Sequence, residues 1–324
     1  MHLKHIIKGL IREFKNLNSG AILNAKYNLR QYKLPKINFF FYMAANSKLR
    51  NLIKRNLIRI LPSRYYGIIQ SLAVSYDLLF FGYREEELRA IRFLIEPGNV
   101  VLDVGANFGQ WSVTLSKYVR EAGVVYAFEP VPYTHNVLKL VCRIFRASNV
   151  NFILAAASDK AGVGEISVPV SIHGTLSTGQ AYLGGTSIEQ PTRDGDKNNL
   201  EKIPVEKISL DSLLHEKLGE ISFIKIDVEG AELEVLRGAR QIILASRPTI
   251  ICEINPHFMV RIGAAPKDIY EFLGEVNYRL CIISTRGFDH SLEDFKGPLI
   301  ERNYALVPIE KYNSIKQAIE RRSN

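Results

Sequence analysis

The sequence predicts an α/β fold: a doubly wound, mostly parallel, seven-stranded sheet within residues 76–324, preceded by a basic helical extension over residues 1–75. Downstream of residue 76, seven apolar runs of strand character alternate with runs of helical period, as expected when parallel strands are buried on both faces by crossover helices. Several of those runs end in glycine or a carboxylate, where open α/β sheets place their ligands. Upstream, the pattern is basic, amphipathic and helical. With 47% hydrophobic residues, 16 Phe and 15 Tyr in 324 residues, the chain is not disordered and buries a substantial core.

The extension comes first in the chain. Residues 1–64 hold eight Lys and six Arg against Glu13 alone, net +13, so that a chain of net charge +9 leaves −4 for the remaining 260 residues. The basicity is local, and a nucleic-acid partner for the whole chain loses its support. Leu3, Ile6, Ile7, Leu10, Ile11, Phe14 and Leu17 repeat at helical spacing opposite Lys4, Lys8, Arg12 and Lys15, and residues 47–63 repeat the design. Two readings stay open for these faces: peripheral contact with an anionic membrane through residues 1–64, or packing on the main domain or a second subunit. The apolar run 37–45 is too short to span a bilayer, which takes about 20 residues, and no secretory signal is evident. The expected location is cytoplasmic. Cys142, Cys252 and Cys281, odd in number and each inside an apolar run, are read as small buried hydrophobes in a reducing compartment.

The main domain opens with EEELRAIRFLI, a helical stretch that stops at the turn Glu96-Pro97-Gly98. The strand runs then follow at 100–105, 124–130, 150–157, 221–228, 248–255, 278–284 and 303–309, with helical runs at 110–120, 134–145, 231–244 and 267–276. Residues 160–200 break the rhythm. They are rich in Gly, Ser and Thr and lack a period, so a loop or hairpin insertion is expected there. His173, inside it, is read as a surface residue that could reach an acceptor.

The residues that end each strand define the candidate site. The first run closes in Asp103-Val104-Gly105-Ala106-Asn107-Phe108-Gly109. Gly105 and Gly109 allow a tight turn and close approach of a ligand, but position 107 is not Gly, so the dinucleotide pattern is not met. Asp103, two residues before Gly105, suits an ammonium and a sulfonium better than a pyrophosphate. Glu129, with Pro130 after it, ends the second run some 20 residues beyond Gly109, where an acid accepts hydrogen bonds from ribose hydroxyls. Ser158-Asp159 follows the third run as a short polar pair able to meet an adenine. In that order these groups point to a nucleoside with a cationic tail, S-adenosyl-L-methionine, with Asn107 and Pro130 counted in the same site.

LDVGANFG, AFEPVP, Ser158-Asp159, IKIDVEGAELEVLRGA and IICEINPH together resemble the FkbM family of S-adenosylmethionine-dependent methyltransferases over roughly residues 76–310. The most specific element is D-x-E-G-x-E, Asp227 to Glu232. The resemblance implies a class I, Rossmann-like methyltransferase fold, with Asp103, Gly105 and Gly109 on the methionine and ribose side of the cofactor. It implies Glu129 at the ribose, Ser158 and Asp159 near the adenine, and an acceptor site at the carboxylates after the fourth and fifth strands. It further implies methylation of a hydroxyl on a sugar, glycolipid or secondary metabolite, a small-molecule or glycan acceptor whose identity the residues do not name.

The block itself raises the question of why Asp227, Glu229 and Glu232 crowd the end of an apolar strand. If the strand persists, Lys225, Asp227 and Glu229 share one face, and Glu232 falls in the first turn of the next helix, where the macrodipole favours an anion. Lys225 could instead pair with Asp227 in a structural network. Methyl transfer needs alignment and a fitting electrostatic environment, and a base on the incoming hydroxyl adds about 10²- to 10⁴-fold. Asp227 and Glu229 are the first candidates for positioning the acceptor. Glu253 and His257, in CEINPHF, are alternatives for the base between which the residues do not choose. No metal is expected, although Asp227, Glu229 and Glu253 could hold one Mg²⁺. Two other classes stay in view: an NAD-dependent oxidoreductase, and a non-catalytic membrane-surface or glycan-binding protein that keeps the fold.

Overall fold

The computed structural model describes residues 63–80, 87–170, 182–183, 199–286 and 289–321; the expectations for the basic segment 1–62 and for His173 lie outside the described residues. Among the described residues the first elements are α1 (Ser63–Phe80), α2 (Glu87–Ala90), β1 (Val100–Val104), α3 (Gln110–Val119), β2 (Val124–Phe128), α4 (Pro132–Ile144) and β3 (Val150–Ile153). Next come β4 (Ala156–Ala157), β5 (Gly162–Val170), β6 (Tyr182–Leu183), β7 (Asn199–Ile208), α5 (Leu210–Leu213) and β8 (Ile221–Ile226). The remainder is α6 (Glu232–Gly238), α7 (Arg240–Ser246), β9 (Thr249–Ile254), α8 (Pro256–Arg261), α9 (Pro266–Glu275), β10 (Tyr278–Arg286), β11 (Asp289–Asp294), β12 (Arg302–Pro308) and α10 (Tyr312–Arg321).

Among the described residues the main sheet has eight strands in the order β11-β10-β12-β9-β8-β1-β2-β3. From β3 to β9 neighbours are parallel. β12 inserts antiparallel between β9 and β10, and β11 closes the edge as the hairpin partner of β10. All seven expected strands contribute to this sheet, so the mostly parallel α/β class holds. The eighth, β11, reads DHSLED, and among its described side chains only Leu292 enters the core. A strand that polar carries no apolar alternation to find. The chain builds outward from β1 to β3, then crosses back to β8 beside β1. Strand order therefore reverses between β1 and β8, and the crevice beyond their carboxyl ends is the expected ligand position.

Alternation sorts the core into two layers. Leu102 and Val104 of β1 join Ile224, Ile226 and Leu236 on one face, while Val101 joins Trp111, Leu115 and Phe223 on the other. Removing one such fully buried side chain costs about 2–5 kcal/mol, so the strand ends rest on a stiff platform. α1 continues across residue 76, the expected domain boundary, and packs Val74 against Val137 and Val141 of α4.

Two expected elements divide. The run 150–157 splits because β3 stays in the main sheet while Ala156 and Ala157 turn away to pair with Lys207 and Ile208 of β7. With β5 and β7, paired from Gly162↔Lys207 to Val170↔Asn199, this makes a second sheet, β4-β7-β5-β6, whose strands lie between residues 156 and 208 and so extend past both ends of the expected insertion 160–200. The helix expected over 231–244 breaks at Ala239 into α6 and α7. There the Asp211 carboxylate accepts the Gln241 and Ile242 amides, 2.9 Å each, and so caps a fresh helix start.

Candidate active site

β1 delivers the first wall. Past Val104 the chain turns, and the amides of Gly105 and Ala106 both donate to the Phe128 carbonyl at the end of β2. Gly105 has φ 82, and a Cβ there would run into the carbonyl oxygen of Asp227, which follows β8. The turn therefore admits no side chain, because the backbones just past the paired ends of β1 and β8 lie in direct contact. Asn107, at φ 47, takes a left-handed conformation that Asn tolerates, and its amide donates to Glu129 Oε2 at 3.0 Å. Its own Oδ1 is buried with no partner among the described residues.

Glu129 is the best-held carboxylate here. Oε1 accepts the Val131 amide at 2.9 Å and Oε2 the Asn107 amide, so each oxygen keeps a free lone pair. Burial pushes its pKa up to about 7; the two amides pull the other way, and the charges of Asp103 and Asp227 add to the rise.

The opposite wall comes from β8 and β9. The strand ends at Ile226, so Lys225, Asp227 and Glu229 do not share a strand face as they would had it continued. The Asp227 amide donates to Val104, and its carboxylate lies 3.8 Å from the fully buried Lys225 ammonium. Lys225 also donates to Asn303 Oδ1 at 2.8 Å and sits 5.4 Å over the Trp111 ring. Glu229 adopts φ 53 and Gly230 φ 112, a left-handed pair that turns the chain into α6. Burial first, then the charges of Asp227, Glu253, Glu232 and Glu301, push the Glu229 pKa up to about 8. Glu232 is fully buried and accepts the Gly230 amide at 2.8 Å, while burial lifts its pKa to about 7.

These walls enclose a cavity of about 150 Å³. Read along the sheet, it runs from an apolar end beyond β3 and β4, with Ala155, Ala156 and Ala157, past Glu129 and Gly105, to an acidic end with Asp227, Glu229 and Glu253. Of the residues expected from sequence, Gly105, Asn107, Glu129, Pro130, Asp227, Glu229 and Glu253 line it.

The others sit elsewhere. Asp103 is buried on the α3 side, where its Oδ2 accepts the Ser112 hydroxyl, in register with Lys225 across the β1–β8 ladder. Gly109 starts α3 against Leu138 of α4. Ser158 donates to Glu234 Oε2 at 2.6 Å and lies 3.3 Å from Asp159, on the α6 side. The His257 ring is exposed beside Arg261, 2.9 Å from its guanidinium. Sequence reasoning missed the apolar liners, above all Ile166, which β5 of the inserted hairpin brings in. The three alanines after Leu154 were the available signal; Ile166 had none, because its place depends on the pairing of β5 with β7. Among the described residues no group of three His, Cys, Asp or Glu side chains is arranged to hold a metal ion, and the three cysteines are free and buried.

The family model described as the methyltransferase FkbM domain matches residues 103–280, from the end of β1 into β10. A curated relative, methyltransferase sdnD of Sordaria araneosa, is 30% identical over 160 residues, 44% of this chain and 61% of that protein, so the match spans about three fifths of the relative. Among solved structures, methyltransferase FkbM from Methylobacillus flagellatus KT covers 80% of this chain and 59% of its own at 14% identity and TM-score 0.38. Aeropyrum pernix fibrillarin with natively bound S-adenosyl-L-methionine covers 69% of this chain and 74% of its own at 13% identity and TM-score 0.37.

Proposed function

The chain belongs to the FkbM methyltransferase domain family, and from that premise we propose that it transfers the methyl group of S-adenosyl-L-methionine to a hydroxyl oxygen of a sugar, glycolipid or secondary metabolite. One observation supports this most: the Glu129 carboxylate, held by two backbone amides with a lone pair free on each oxygen, stands between the apolar and the acidic end of one cavity. The donor set fits the cofactor. Ala155, Ala156 and Ala157 offer an apolar bed for a base, Glu129 accepts two ribose hydroxyls, and the unpartnered Asn107 Oδ1 accepts a further donor. The acids at the other end favour a cation there. The absence of Gly at position 107 weighs against a dinucleotide in the same place.

When bound, S-adenosyl-L-methionine supplies an electrophilic methyl group on a positively charged sulfur. Asp227 and Glu253 position the acceptor hydroxyl, and Glu229, whose pKa near 8 lies close to working pH, takes its proton. His257 does not line the cavity and has no part in this assignment. The enzyme works in the cytoplasm on a small-molecule or glycan acceptor, not on nucleic acid, and the basic residues 1–64 draw it to an anionic membrane when the acceptor is lipid-linked.

Titration calorimetry of the full chain with S-adenosyl-L-methionine tests the reading. Saturable binding in the wild type and a loss of about tenfold or more in Glu129→Ala are expected, since two charge-assisted hydrogen bonds are removed. A wild-type protein that gives no heat with the cofactor overturns it.

A further inference from the structure

Glu232 has no place in the chemistry above, yet it is fully buried, and a carboxyl group in that position needs a reason. Its Oε1 accepts the Gly230 amide at 2.8 Å, and its Oε2 has no partner among the described residues. Gly230 is pinned from the other side as well: a Cβ there would sit 2.8 Å from the Phe258 Cβ and 2.9 Å from its carbonyl carbon. The preceding residue, Glu229, holds φ 53, a left-handed conformation that costs a non-glycine residue about 1 kcal/mol or more and persists only where its surroundings impose it. Glu229 is also the carboxylate that lines the acidic end of the cavity.

We infer that Glu232 is a positioning residue: its carboxyl oxygen holds the Gly230 amide, fixes the left-handed Glu229–Gly230 turn, and thereby sets the Glu229 carboxylate in the cavity wall. The hydrogen bond needs an acceptor at a set reach, not a negative charge. A glutamine, which keeps a carbonyl oxygen at the same distance, substitutes for it. An aspartate, one methylene shorter, does not. The role of the turn in catalysis rests on the methyltransferase reading; the hold on the turn does not.

Glu229–Gly230 is the only Glu-Gly pair in the sequence, so carbonyl-labelled Glu with amide-labelled Gly isolates the Gly230 amide as one resonance in the full chain. The Asp227 amide, bonded to Val104 across the β1–β8 ladder at 2.9 Å, serves as the internal reference. Hydrogen exchange at Gly230, taken relative to Asp227, should be unchanged in Glu232→Gln and about tenfold faster in Glu232→Ala and Glu232→Asp, the loss of one net hydrogen bond. General destabilisation speeds both amides and leaves the ratio alone. An unchanged ratio in Glu232→Asp, or a ratio raised as much by Gln as by Asp, overturns the inference, and that comparison stands even where the Ala variant does not fold. With an extract fraction that accepts labelled methyl from the wild type, kcat should fall about 10²-fold in Glu232→Asp and stay within about threefold in Glu232→Gln, cofactor affinity unchanged in both. A wild type that labels no fraction removes the functional reading while leaving the exchange result to decide the position of the turn.

Discussion

The close backbone approach of Gly105, after β1, to Asp227, after β8, makes Gly105→Ala the sharpest test of the fold that holds the site. The substitution meets two costs. At φ 82 an L-residue is strained, by about 1–2 kcal/mol, and the new methyl group lands on the Asp227 carbonyl oxygen. That oxygen is backbone, so relief requires the strand ends to part, an overpacking cost of about 1–3 kcal/mol. Gly98 separates the two. It has φ 89, close to the same conformation, but nothing lies within 4 Å of its would-be Cβ. Gly98→Ala therefore pays strain alone.

Thermal and urea unfolding of the two variants read the difference. Gly98→Ala should lose about 1–2 kcal/mol, and Gly105→Ala about 2–5 kcal/mol, the sum of strain and overpacking. At about 2–4 °C per kcal/mol for a domain of this size, Gly105→Ala melts roughly 4–20 °C below the wild type. It should also lose cofactor affinity, because the strand ends that part are cavity walls. Equal destabilisation of the two variants would refute the reasoning, since it would mean that the approach of Asp227 to Gly105 costs nothing.

Stability should fall as pH rises. Glu129, Glu229 and Glu232 have folded pKa values raised to about 7, 8 and 7 from 4.5, so the folded state binds more protons than the unfolded one between those values. Each stabilising contribution is complete below pH 4.5 and is lost as pH climbs through the folded pKa, at up to about 1.4 kcal/mol per pH unit per group. Urea midpoints of the cofactor-free protein should be lower at pH 7.5 than at 5.5, with a shallower slope in Glu229→Gln; a rising midpoint counts against the buried carboxyl groups. For turnover, kcat/KM should rise with pH toward about 8 as Glu229 ionises. Glu229→Gln should lose about 10²-fold or more and His257→Ala at most a few-fold, and the reverse order would make His257 the base.

Much of the fold was legible because strands buried on both faces write themselves as continuous apolar runs. Val100–Val104 and Ile221–Ile226 read as strands wherever they are placed. β11 was invisible for the opposite reason: among its described side chains only Leu292 is buried, and DHSLED carries no apolar alternation to find. The break between α6 and α7 was invisible because its cause, the Asp211 carboxylate, lies 30 residues away in sequence from the amides it caps.

The site divides along the same line. Gly105, Glu129, Asp227 and Glu253 were legible because each ends a strand, and the ends of adjacent parallel strands lie together by topology alone. What topology leaves open is the direction of a side chain. Asp103 stands two residues before the glycine turn, but alternation along β1 puts Val104 on the cavity and Asp103 beneath, against Ser112. Ser158 follows β4 after that strand has left the main sheet, and so its hydroxyl meets Glu234 of α6 instead of the cavity. Glu229 shows the converse. Strand parity placed it on the face of Asp227, and parity ended at Ile226; the left-handed turn held by Glu232 and Phe258 brings it to the cavity by a route that no periodicity encodes.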